Sequence, residues 1–451
     1  MPFEPINLGL VAGDGRGDTP RVAGEKLNGM LEEIYARLAQ PAPDPAAMAA
    51  QAAELAAFKA RQVLDRSTGP RWFGDLPLSR QLKGTAAMLA RIRAGASSGT
   101  IALLGDSTSF STGASARAQG YSQQLVARFA ANAIAAETDG LYGLHGFTPT
   151  GLAAYDARVA FTGNGWTGNT VAIAGTMFSN TADTVSTFSF TPEKQVDVFT
   201  LMFPTDPQFG TVNVSIDGGA AQLVSLQQRN GVWTWNGAAW AQTTGPSNAA
   251  NTFGTHSFNV PLGAHTITIT RATGNVKIAG VRGYRNGLRQ VHIANWGRPG
   301  ETAGGWAAGG GYWNLRGGSG YQAILKPDLT VIDLGINDVN QNVSPDTYAA
   351  NLQSVITGAR LSTKDVALMV PVPSLDAGNL ALAKQLAMRA KLEELATSNA
   401  LPILADMPAR WGEYAGGNTQ GFYGTASDGV HPWNTGYADK AQALVRVLLA
   451  L

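Results

Sequence analysis

The chain has 451 residues, of which 44% are hydrophobic and 14% charged, and its formal net charge is +1 at pH 7. That length points to two or three domains with sizeable cores, and a charge so near zero excludes the basic footprint of a nucleic-acid or anionic-membrane binder. There are no cysteines, which excludes disulfides, zinc–thiolate sites and a cysteine nucleophile together.

The opening MPFEPINLGLVAG has neither a basic n-region nor an apolar h-region, so no secretory signal is expected. No apolar run approaches the ~20 residues that span a bilayer. INLGLVAGDGRGDTPR reads as loop, with Asp14-Gly15 and Gly17-Asp18 as turn signals. A helical pattern follows through Val22, Leu27, Met30, Leu31, Ile34 and Leu38. This opening resembles the N-terminal segment of phage tail proteins. An ordinary N-terminal helix fits the same pattern. Pro41, Pro43 and Pro45 then break the helix, and an alanine-rich run resumes it. Residues 1–83 are thus expected to be loop and helices, serving tail attachment or oligomerisation, or lying on the next domain.

An α/β pattern follows in two pieces, residues 84–153 and 289–451. Ile101–Leu104, VHIAN, LTVIDLG, DVALMV and LPILAD are short apolar runs. Asp346–Leu361, Asp376–Asn399 and Thr435–Leu449 are helical stretches between or after them. Strands that are apolar throughout, alternating with helices, predict a parallel sheet covered on both faces. Residues 154–288 differ. TVSTFSF, VDVFTLMF, GTVNVSID and AHTITITRA alternate, with Gly, Pro and Asn turns between them. That predicts an all-β sandwich or jelly roll inserted into the α/β domain.

Ser107, in IALLGDSTSF, comes directly after an apolar strand, where open α/β sheets place their sites. A serine hydroxyl needs a base to become a nucleophile, and alone Gly-Asp-Ser also fits a plain turn. The chain offers five histidines. His256 and His265 fall among the β runs, and His292 alternates within a strand. His145 is a loop residue that stays open. His431 sits in SDGVHPWNTGY, three residues after Asp428. Such a turn can bring the carboxylate to one ring nitrogen and leave the other for a hydroxyl; it can also simply cap the last helix. NWGRPGETAGG and LGINDVNQ are further glycine-containing turns at strand exits. They could supply backbone and amide donors to an oxyanion, or be tight turns only.

LLGDSTS, GRPGET, GIND and DGVHP, in this order, resemble the four sequence blocks of the SGNH (GDSL-type) hydrolases. The resemblance covers Ile101–Ser107 and Arg289–Leu451. It implies a three-layer α/β/α, flavodoxin-like domain and a serine esterase that needs no metal or organic cofactor. It also implies Ser107 as nucleophile, His431 as base and Asp428 as its orienting carboxylate. The implied oxyanion donors are the Ser107 N–H, the Gly300 N–H and the Asn337 side chain. The stretch after Ser107 is smaller and more polar than the family's form. A β-sandwich in the place of residues 154–288 is similar to the arrangement in peptidoglycan O-acetylesterases and related polysaccharide esterases.

Trp166, Trp233, Trp235 and Trp240 are candidate glycan contacts, since aromatic faces stack on sugars; as alternating residues they fit a sandwich core equally. The expectation is a carbohydrate O-acetylesterase acting on a bacterial polysaccharide or peptidoglycan. It would sit on a phage or prophage tail, with other tail proteins as partners and a homotrimer as a candidate assembly. Its place would be the virion tail or the exterior after lysis, otherwise the cytoplasm. Neither nucleic acid nor membrane insertion is expected. The alternatives are a non-catalytic receptor-binding tail protein and a general carboxylesterase or lipase.

Overall fold

The computed structural model describes residues 78–451, apart from residues 139, 173, 237, 246, 249–251, 309–324, 376–380 and 425–427. The expected tail-attachment or oligomerisation segment therefore lies almost wholly outside the described residues.

The apolar run Ile101–Leu104 is the middle of β1 (Gly99–Gly105). It is joined by β2 (Ala136–Glu137), β3 (Val291–Gly297), β4 (Leu329–Asp333), β5 (Asp365–Val370) and β6 (Ile403–Asp406). The order across the sheet is β2-β3-β1-β4-β5-β6, with every neighbouring pair parallel. β3 lies on one side of β1 and β4 on the other. The chain therefore reverses direction across the sheet at β1, and the crevice beyond the strand ends there is where open α/β sheets bind ligands.

Successive side chains of β1 point to opposite faces. Ile101 and Leu103 enter one apolar cluster with α1 (Lys83–Arg93), α3 (Tyr121–Ala130) and α8 (Asn434–Leu449). Ala102 and Leu104 enter another with α6 (Pro345–Arg360) and α7 (Ala381–Ser398). Two helical layers on one parallel sheet are the α/β/α arrangement. α6 shows why the sequence folds this way. Pro345 opens it, the Ser344 side chain accepts from the Thr347 N–H, and Leu352, Val355, Ile356 and Ala359 recur at helical spacing on the buried face.

Between β2 and β3 the chain builds mostly antiparallel sheets, the exception being Gly231–Trp235, which runs parallel to Thr252–Gly263. One has five strands, in the order Gln222–Ser225, Thr211–Ile216, Ile267–Thr273, Thr187–Phe190 and Val159–Phe161. Another has six: Trp240–Thr244, Gly231–Trp235, Thr252–Gly263, Val196–Thr205, Gly280–Tyr284 and Gly140–Leu141. Residues 140–141 precede the stretch read as β in the sequence, yet they form the edge of this sheet by pairing with Val281 and Arg282. Phe188, Val214 and Ile269 of the first sheet share a core with Phe199, Leu201 and Phe258 of the second. Met202, Phe253 and Ala279 instead join the cluster of Leu104 and Trp296, which seats this region against the parallel sheet.

Candidate active site

Ser107 opens the single-turn helix α2 (Ser107–Phe110) at the C-terminal end of β1. As the first helical residue its N–H has no intrahelical acceptor. Asp106 caps the turn by accepting from the Thr108 N–H at 2.8 Å. The helix sits against the strand ends so closely that only glycine fits beneath it. A Cβ on Gly105 would lie 2.2 Å from Ser109 Oγ, and one on Gly297 would lie 2.2 Å from Phe110 N.

His431 Nε2 lies 2.7 Å from Ser107 Oγ. Its Nδ1 lies 2.5 Å from Asp428 Oδ2. The carboxylate is the acceptor there, so Nδ1 carries the proton and Nε2 is left to accept from the serine. The other Asp428 oxygen accepts from the backbone N–H groups of Val430 and His431, each at 2.9 Å. The turn that the sequence spacing implied is thus closed by the same carboxylate that meets the ring. Burial alone would raise the Asp428 pKa, but the hydrogen bonds from His431 and Val430 outweigh it and hold the carboxyl below its ordinary range.

Gly300 lies in the turn Arg298–Glu301, closed by a Glu301 N–H to Arg298 O bond of 3.1 Å. It has a φ of 78° and nothing within 4 Å of its would-be Cβ, so its backbone is open to an incoming group. The Arg298 N–H donates to Gly105 O at 3.0 Å, which fixes this turn beside the end of β1. Asn337 is the second residue of α5 (Ile336–Asn340), and one hydrogen of its Nδ2 goes to Glu301 O at 2.9 Å. The second amide hydrogen remains for another acceptor. Two residues passed over in the sequence complete this stitching. Asp338 accepts from the Ala303 N–H at 3.0 Å, and Gln341 Nε2 donates to Gly300 O at 3.2 Å. Burial raises the Asp338 pKa. The signal for Asp338 was present in GIND, where the residue after the asparagine is acidic.

Of the other histidines, His145 is buried against Phe110, with ring centroids 4.5 Å apart, and its Nδ1–H donates to Gly297 O at 3.0 Å. Burial pushes its pKa down to about 4. His256 is buried with Nε2 on Gln228 O, His265 pairs with Asp217 at 2.6 Å, and His292 is buried on β3 facing Glu137.

The tryptophans require a correction. Trp166, expected as a glycan contact, is 5% exposed, packs in the β core against Phe188, and donates its Nε1–H to Ser186 O. Its apolar face is already spent on protein. Trp233 and Trp240 are half-buried and pack against the same core, and Trp235 stacks near Trp240 with centroids 5.6 Å apart. Among the described tryptophans, Trp433 alone is exposed, at 41%. It stands two residues after His431, its ring over Gly424, while the exposed Leu375 packs on Gly429 of the same turn. The HPW step in the sequence was the available signal.

Among the described residues no group of His, Cys, Asp or Glu side chains could hold a metal ion, and no helix is long and apolar enough to cross a membrane.

Residues 270–438 match the GDSL-like lipase/acylhydrolase family; the stretch contains Gly300, Asn337, Asp428 and His431 and begins after the Ser107 block. No curated protein matches the chain by sequence. Among solved structures, a peptidoglycan O-acetylesterase is 13% identical and overlaps 82% of this chain and 96% of its own, with a TM-score of 0.54. A lipase/acylhydrolase from Enterococcus faecalis is 25% identical over 35% of this chain and 75% of its own, with a TM-score of 0.29. An acetylxylan esterase from Geobacillus stearothermophilus is 23% identical over 35% and 73%, with a TM-score of 0.28. The α/β part thus shares its fold with the peptidoglycan O-acetylesterase, and its residues 270–438 are similar to the GDSL-like lipase/acylhydrolases.

Proposed function

We propose that the chain removes O-acetyl groups from a bacterial surface carbohydrate by a covalent serine mechanism. The observation that carries the reading is the unbroken contact Asp428–His431–Ser107, at 2.5 and 2.7 Å. His431 Nε2 takes the proton of Ser107 Oγ as the oxygen attacks the acetyl carbonyl. The oxyanion meets the N–H groups of Ser107 and Gly300 and the free amide hydrogen of Asn337. The bond to the sugar oxygen breaks, and His431 returns its proton to that oxygen. A water then gives its proton to His431 and attacks the acyl-enzyme; the bond to Ser107 Oγ breaks, His431 returns the proton to that oxygen, and acetate leaves with Ser107 as it began. Asp428 holds the imidazole in the Nδ1–H form and stabilises the imidazolium in both halves.

Carbohydrate as the substrate is supported by the exposed Trp433 beside the base, whose face can stack on a sugar ring. It is supported also by the likeness in fold to a peptidoglycan O-acetylesterase over 82% of the chain. The opening INLG…GDGRGD, similar to phage tail N-termini, supports placement on a phage or prophage tail. The test is acetate release from p-nitrophenyl acetate and from acetylated bacterial polysaccharide and peptidoglycan, wild type beside Ser107→Ala. Release by the wild type alone supports the reading, and the responding polymer identifies the substrate. Binding to cells with no ester cleaved would mean a receptor-binding protein instead. Octanoyl esters cleaved faster than acetyl esters would mean a lipase.

A further inference from the structure

A four-residue helix cannot hold its own position in water, yet α2 carries Ser107 to within hydrogen-bond distance of His431. What grips it is a cluster of charges beneath it. Lys440 of α8 is 0% exposed, and its Nζ lies 2.5 Å from Asp333 Oδ2 at the end of β4. The same ammonium reaches Thr108 Oγ1 at 3.3 Å and Thr108 O at 3.4 Å, and it sits 4.6 Å from the centre of the Tyr121 ring. Asp333 Oδ2 also accepts from Ser109 Oγ at 2.8 Å. Asp106, also fully buried, caps Thr108 from the other end. Residues 106, 108 and 109 are therefore each held, and Ser107 between them is left to react.

The three charged residues come from the elements that carry the proposed machinery. Asp106 precedes Ser107. Asp333 ends the strand that leads to Asn337. Lys440 lies in the helix that follows His431. We infer that Lys440, Asp333 and Asp106 form a positioning set that fixes the nucleophile's helix against the base and the oxyanion asparagine. The inference rests on the reading of Ser107, His431 and Asn337 given above. Stability alone is a poor reason for such a cluster, because a buried ion pair can be replaced by apolar side chains at little or no cost. Two carboxylates share one ammonium here. Asp106 Oδ2 and Asp333 Oδ1 are buried and have no partner among the described residues. Tyr348 and Tyr437 face the same charges, and both are buried. Burial, then the charge of Asp333, pushes Asp106 up to about 7.

The test compares wild type, Asp333→Asn/Lys440→Met, Ser109→Ala and Ser107→Ala. The double variant removes both members of the pair, so neither Lys440 nor Asp333 is left as a buried charge without the other. Each protein is checked by thermal melting, then assayed for kcat and KM on p-nitrophenyl acetate and for the rate at which phenylmethylsulfonyl fluoride modifies Ser107. For the folded double variant we expect KM within about twofold of wild type, and kcat and labelling rate both lower by tenfold or more, as misplacing a reacting group by about 1 Å can cost ~10²-fold. Ser109→Ala cuts one hydrogen bond and exposes no charge, so it keeps the question open should the double variant fail to fold. It should lower kcat and labelling together by about threefold, the size of one modest hydrogen bond. A folded double variant with wild-type kcat and labelling overturns the inference. So does a wild-type Ser109→Ala if the double variant does not fold. Activity surviving in Ser107→Ala would overturn the underlying mechanism instead.

Discussion

The two halves of this molecule bury polar groups in different ways. In the intervening β region several strands alternate cleanly. Thr211–Ile216 and Thr187–Phe190 each put every second residue in the core, and the residues between stay at least partly open to solvent. In the parallel sheet both faces are covered, so a polar residue at a strand end has no solvent face to turn to. Asp106, Ser107, Asp333 and Asp338 are all buried at the exits of β1 and β4. Burying unpaired polar groups is costly, and here the cost falls where the chain reverses across the sheet.

The largest effect should come from Ser107→Ala, which removes the proposed nucleophile and should lower kcat on acetyl esters by about 10⁴-fold or more. A variant that kept a tenth of the rate would mean that water attacks directly and that no acyl-enzyme forms. Next comes Asn337→Ala. It removes the proposed oxyanion donor together with its bond to Glu301 O, and should cost ~10²–10³ in kcat with KM little changed. A change confined to KM would assign the asparagine to substrate binding.

The two kinds of tryptophan sharpen the contrast between the halves. Trp433→Ala should raise KM on acetylated polysaccharide by about tenfold through lost stacking, leave p-nitrophenyl acetate turnover unchanged, and be rescued by Trp433→Phe. Trp166→Ala should do the reverse. It opens a cavity beside Phe188 and should destabilise by ~3–5 kcal/mol in urea unfolding, with no change in rate per folded molecule. Equal losses on both esters for Trp433→Ala would make that residue structural as well.

How far the sequence spoke for itself depended on how local each signal was. Asp428 and His431 were legible because three residues of turn suffice to join them. Ser107, Gly300 and Asn337 stood out as candidates because each follows an apolar strand at a turn, and the order of the blocks resembles that of a family. Lys440 was not legible. A lysine on an amphipathic helix ordinarily faces water, and nothing nearby in sequence says that Asp333, more than a hundred residues away, waits beneath it. Trp166 misled for a related reason. Alternation shows that residues take opposite faces of a strand, but not which face another sheet will cover. The pairing of residues 140–141 with the β region likewise depends on a partner strand far along the chain.

The smallest effect is on stability rather than rate, and its sign can be worked out. Burial pushes both Asp106 and Glu413 up to about 7; for Asp106 the charge of Asp333 adds to this, and for Glu413 Arg389 works against it. In the unfolded chain such carboxyls ionise near 4. Between those values the folded protein holds protons that the unfolded chain has lost, so each group stabilises fully below about pH 4 and ceases to as the pH rises through about 7. The slope is at most about 1.4 kcal/mol per pH step for each group. His145, pushed down to about 4 by burial, works in the opposite sense, stabilising above its unfolded value near 6.5 and losing that as the pH falls toward 4. Comparing Asp106→Asn with wild type cancels the histidine. The variant keeps an acceptor for the Thr108 N–H and loses only the titration. Urea midpoints at pH 5, 6, 7 and 8 should show the wild type losing ground to Asp106→Asn as the pH rises. A gap of constant size would mean that Asp106 is already ionised in the fold, leaving two full negative charges around Lys440.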